Sequence, residues 1–136
     1  MQNRLLYLVE EDYVSKAIYT DSVKSIYSIK SELNKIAKNH LTSLDIYYKN
    51  TRKKMNLKNK IPIYFSDSLL LFQINSKKEK YFINYFNILK ICYEEKMVVI
   101  FNDGTILKLD CKKYICRVEL EKIKSIVDYI NNLNLW

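Results

Sequence analysis

Apolar residues follow two regimes along the chain: short strand-like runs through the middle and a three-to-four-residue recurrence near the C-terminus. In the middle, residues 61–65 and 69–74 flank the turn-forming Ser66-Asp67-Ser68, and residues 75–80 make a basic turn. Further strands are predicted at residues 81–83, 88–93 and 96–101. Asn102-Asp103-Gly104 is the clearest hairpin turn, because Asp-Gly supplies the positive-φ position, and residues 105–110 form its returning strand. The period then changes. Leu120, Ile123, Val127 and Ile130, with Ile126 and Leu133 beside them, predict an amphipathic helix from about Glu119 to Asn132, its other face occupied by Glu119, Glu121, Lys122, Lys124 and Asp128.

The first half is less regular. Leu5 to Val9 reads as a short strand, Tyr13 to Thr20 alternates moderately, Asp21-Ser22 is a turn signal, and Val23 to Ile29 fits a strand or a helix start. Ser31 is placed to cap a helix running to about His40, with Leu33, Ile36, Ala37 and Leu41 on one face. Leu44 to Tyr48 is expected as a strand or a helix-terminal loop. From Lys49 to Lys60 only Met55 and Leu57 are clearly apolar, which predicts a mobile basic loop or hairpin tip. The expected class is α+β: an antiparallel β-sheet meander with a short helix in the N-terminal half and a C-terminal amphipathic helix, in one domain over residues 1–136.

Composition narrows the function classes. Hydrophobic residues make up 49% of the 136, enough for a core. With one glycine and one proline, collagen-like, proline-rich and Gly-rich phosphate-binding classes are excluded. The longest apolar run, Met97 to Phe101, is far too short to span a membrane, and no signal peptide is evident. Three cysteines, Cys92, Cys111 and Cys116, form no disulfide framework and read as reduced thiols of a cytoplasmic protein. Only one histidine, His40, is present, without an acidic neighbour in sequence, and no metal-ligand spacing or nucleophile motif accompanies it. The expectation is a non-enzymatic protein without cofactor or metal. The twelve tyrosines are expected to pack on strands.

Charge changes the picture most. Residues 1–48 carry six basic and six acidic side chains, and residues 91–136 carry seven of each. Between them, residues 49–90 hold ten basic residues against Asp67 and Glu79, so the whole net charge of +8 falls in that segment. It forms two clusters: Lys49, Arg52, Lys53, Lys54, Lys58 and Lys60, then Lys77, Lys78 and Lys80. Concentrated positive charge selects polyanions. The lysines are expected to contact phosphates, and Arg52, with Asn50 beside it, is the preferred minor-groove candidate, since a basic arm can enter the narrow groove of an A-tract.

The residues 60–110 also carry a resemblance. Lys60, Pro62 and Ile63, then Leu71, Phe72 and Ser76, then Phe82 and Ile83, then Asp103-Gly104 between two strands, resemble the ComK competence transcription factor family. A looser match extends upstream through Leu5 to Val9, Ser15 to Ile18 and Tyr48-Lys49-Asn50 with Arg52. Gln73-Ile74 stands where that family has Pro-Thr, and Phe82 where it has tryptophan. The later half is also similar to the LytTR DNA-binding domain. The resemblance implies a transcriptional activator on AT-rich promoter DNA, acting on DNA-uptake genes, a homo-oligomer on its site, and RNA polymerase as a further partner. No membrane partner is expected. The alternative is a PH-like or other binding module that turns the same basic loops towards anionic lipid or protein.

Overall fold

In the computed structural model, which describes residues 4–40, 43–55 and 60–133, the chain runs β1 (Leu5–Glu11), β2 (Val14–Tyr19), β3 (Val23–Ile26), α1 (Ile29–Asn39), α2 (Leu44–Met55), β4 (Ile63–Ser66), β5 (Leu69–Asn75), β6 (Glu79–Asn84), a 3₁₀ turn (Tyr85–Asn87), β7 (Ile88–Tyr93), β8 (Met97–Phe101), β9 (Ile106–Leu109) and α3 (Lys113–Leu133). The class is α+β, as the alternation and the change of period predict. The sheet is not one meander. Strands β1 to β6 form a six-stranded antiparallel sheet in the order β3-β2-β1-β6-β5-β4, and β7-β8-β9 form a second, three-stranded one. Pairing β1 with β6 brings Val9 opposite Tyr81, some seventy residues apart in sequence, a contact that local pattern does not encode.

The layering follows from β5. Leu70, Phe72 and Ile74 point into one core with Ile83, Met97, Val99, Phe101, Leu109 and Ile123, under the small sheet and α3. Leu71 points the other way and packs with Leu8, Ala17, Phe65 and Phe82 against Ile29, Leu33, Ala37 and Leu44 of the two N-terminal helices. A strand covered on both faces needs apolar residues at successive positions, which is why residues 69–72 read Leu-Leu-Leu-Phe. Strand β1 reaches both cores by another route. Its register shifts between Leu5 and Tyr7, and the bulge sends Leu6 to the small-sheet side while Leu8 joins the helical side.

The N-cap of α1 is Ser28, whose side chain accepts from the Ser31 backbone N–H at 3.0 Å; Ser31 is the third helical residue and not the cap. The C-terminal helix begins at Lys113, six residues before the predicted start. The β8–β9 hairpin matches prediction. Gly104 takes φ +93°, and the Asp103 carboxylate accepts from both the backbone N–H and the hydroxyl of Thr105 at 2.9 Å. No atom lies within 4 Å of a Cβ at Gly104, so Gly104→Ala meets conformational strain alone. We expect it to lower unfolding free energy by about 1–2 kcal/mol in chemical denaturation.

The largest departure is at Lys49 to Lys60. Residues 49–55 belong to α2 and not to a loop; residues 56–59 lie outside the described residues. Three features favour the helix. No Gly or Pro interrupts residues 44–55, and Arg, Lys and Met are good helix formers. Asp45 sits in the first turn, while Lys53 and Lys54 fall at the other end, matching the helix dipole. Leu44 is buried, and Tyr48, one turn on, packs against the same core. Repulsion between Lys49 and Lys53, on the order of 0.5 kcal/mol for such a pair, is too small to offset that anchoring.

Candidate nucleic-acid interface

The helix sorts its residues. Asp45, Tyr48, Lys49, Arg52 and Lys53 line one shallow depression, at the i, i+3, i+4, i+7, i+8 spacing of a single helical face. Tyr48 is half-buried, and Lys49, Arg52 and Lys53 are exposed. Burial pushes the Tyr48 phenol above its ordinary value, with Arg52 drawing it down and Asp45 pushing it up, so both charges act on the same ring. Asn50 and Lys54 lie in the same helix. Lys58 is outside the described residues.

The other predicted residues go elsewhere. Lys60, at φ +47°, precedes β4, and its charge bears on Cys111 beside Asp110. Lys77 is 3.7 Å from the Asp110 carboxylate. Lys80 stands opposite Glu10 in the β1–β6 ladder, and Glu11 stands opposite Glu79. Lys77, Lys78 and Lys80 share one open crevice with Glu10, Asp12 and Glu79. This tip is therefore not a positive surface: the fold returns to it acids that the sequence keeps far away. Lys49, Arg52 and Lys53 line one depression, and Lys77, Lys78 and Lys80 line another.

A third group is not visible in the charge count of the sequence. Residues 1–48 balance in charge, yet the balance does not hold locally in the fold. Glu10, Glu11 and Asp12 go to the strand tip, whereas α1 turns Ser31, Asn34, Lys35 and Lys38 outward on one face, with Lys30 also exposed. Helices α1 and α2 touch, are joined by residues 40–43 and pack on the same sheet face. From Ile29 to Met55 there are seven basic side chains against Glu32 and Asp45. Among the described residues, Lys30, Lys35, Lys38, Lys49, Arg52 and Lys53 form no ion pair. The spacing of residues 31, 34, 35 and 38 is the signal that marks this face, and it emerges when charge is counted per helix and not per segment.

Other ionisable side chains are buried. Cys111 and Cys116 are buried, and desolvation raises both thiols, partly offset at Cys111 by the Cys116 backbone N–H and Lys60. Glu119 is buried in α3 with one carboxylate oxygen 2.9 Å from Lys122 Nζ. Among the described residues there is no group of three or more His, Cys, Asp or Glu placed to hold a metal, and no helix is long and apolar enough to cross a membrane. No protein-family model matches this chain, and no curated protein or solved structure is significantly similar to it.

Proposed function

We propose that the chain is a non-enzymatic, cytoplasmic DNA-binding regulator that takes duplex DNA against its α1–α2 layer, with α2 as the element in the groove. The observation that carries this is the exposed face Lys49, Arg52 and Lys53, unpaired among the described residues and anchored through Tyr48. A twelve-residue helix is about 18 Å long and fits the major groove, which is about 12 Å wide. A helix bearing Arg52 favours major-groove entry over the minor-groove arm that a loop would have made. Two contacting helices joined by a four-residue link also follow the outline of helix-turn-helix readers, whose second helix enters the groove. Preference for AT-rich promoters, activation of competence genes, assembly of copies on the site and contact with RNA polymerase rest on the resemblance to the ComK family.

The test is fluorescence anisotropy with AT-rich and GC-rich duplexes over a salt series, run beside co-sedimentation with anionic vesicles. Tight, salt-sensitive binding to duplex is expected. Binding to vesicles without binding to duplex would favour the lipid-binding alternative. Replacing Lys77, Lys78 and Lys80 together by alanine is expected to change the salt slope by less than about one unit, because their charges face Glu10, Asp12, Glu79 and Asp110. A fall of about two units or more would place phosphates at the strand tip instead.

A further inference from the structure

We infer that the exposed face of α1 is a second DNA contact, a row of lysines that grips backbone phosphate beside the groove that α2 enters. The inference rests on the duplex-binding reading and extends it to residues outside the charged middle segment. Lys35 and Lys38 share a helical face with Ser31 and Asn34, and Lys30 is exposed one turn before Asn34. Apart from Glu32, which is half-buried, α1 has no acidic side chain. No carboxylate lies within salt-bridge distance of these lysines among the described residues.

The chemistry matches phosphate and not base edges. Ammonium groups on flexible stems act as point charges and position a protein without reading sequence. Ser31 and Asn34 add short polar groups of the kind that hydrogen-bond phosphate oxygens. The α1 core positions Ile29, Leu33 and Ala37 are buried against the sheet, so the outward face is held by packing on its opposite side. A duplex is the partner that two contacting basic helices suit. Its phosphates line both sides of the groove, so one helix can enter while its neighbour meets the strand beside it.

The experiment measures duplex affinity against salt for the full chain, for Lys30→Gln/Lys35→Gln/Lys38→Gln, and for Lys77→Gln/Lys78→Gln/Lys80→Gln. Both variants remove three positive charges, so the second controls for net charge. All three α1 positions are exposed, and circular dichroism verifies that each variant is folded. The single variant Lys35→Glu serves as a second probe, with a larger loss than Lys35→Gln expected. For the α1 variant the slope of log K against log salt should shrink by about 2 to 3 units, at about 0.9 for each phosphate no longer neutralised. Affinity at fixed low salt should fall at least tenfold, with the AT/GC preference unchanged. If the parent chain binds duplex and the α1 variant keeps its slope, the inference fails while the duplex reading stands. Equal losses in the two triple variants would mean that net charge and not local placement is responsible, which also overturns it. If the parent chain does not bind duplex, the reading and the inference fall together.

Discussion

Replacing Lys49, Arg52 and Lys53 together by alanine should weaken duplex binding by roughly 100-fold, about 3 kcal/mol, with each of the three side chains contributing on the order of 1 kcal/mol. All three are exposed, so the substitutions should leave stability nearly unchanged, and thermal unfolding checks that. Arg52→Lys separates charge from shape. It keeps the positive charge and removes the planar fork that grips guanine O6 and N7 or a phosphate bidentately. Binding should then keep its salt slope while losing much of its preference among sequences. Methylating guanine N7 within the site should interfere, and minor-groove ligands should compete poorly. The reverse pattern, competition from minor-groove ligands and indifference to N7 methylation, would return the reading to an arm outside α2.

Asn84→Ala should destabilise the fold by about 3 kcal/mol, measured by chemical denaturation. Asn84 is 1% exposed and makes three side-chain hydrogen bonds of 3.1 Å. Its Oδ1 accepts from the Leu70 N–H, and its Nδ2 donates to the carbonyls of Leu5 and Ser68. One amide therefore ties β1, the β4–β5 turn and β5 together where β6 ends. Alanine would leave the Leu70 N–H without that partner in a buried site, and unmade buried hydrogen bonds typically cost about 1–3 kcal/mol each. Asn87 softens the loss at one point, because its own Nδ2 reaches the Leu5 carbonyl at 2.7 Å. A loss below about 1 kcal/mol would show that solvent replaces the amide readily.

The features legible in the sequence are those set by neighbours in the chain. The Asp103-Gly104 turn, the strands on either side of Ser66-Asp67-Ser68 and the Ile123–Val127–Ile130 recurrence all report local geometry, and each appears in the fold. What the sequence hides depends on contacts between distant segments. The α2 helix reads as a loop because its apolar residues are few, yet burial of Leu44 and partial burial of Tyr48 anchor its start. The division into two sheets turns on the β1–β6 pairing, and no local residue specifies it. The candidate site shows the same limit. Composition points to Arg52, Lys49 and Lys53, but Lys35 and Lys38 are masked because residues 1–48 also count Glu10, Glu11 and Asp12, which the fold carries to the strand tip. Conversely, Lys77, Lys78 and Lys80 have only Glu79 beside them along the chain, and the fold adds Asp110 next to Lys77 and Glu10 opposite Lys80.

The separation of charge has a consequence for how quickly a partner is met. Cations are unopposed on the outward α1–α2 face, whereas at the strand tip Glu10, Asp12 and Glu79 offset Lys77, Lys78 and Lys80, so the net charge of +8 is spread unevenly and the molecule carries an electric moment. In the field of a polyanion such a body turns before it touches, presenting the helices. Fewer encounters are then wasted on the wrong face, and the association rate rises above the orientation-limited value at low ionic strength. The gain disappears as the screening length shrinks towards about 10 Å at 0.1 M salt, less than the length of either helix.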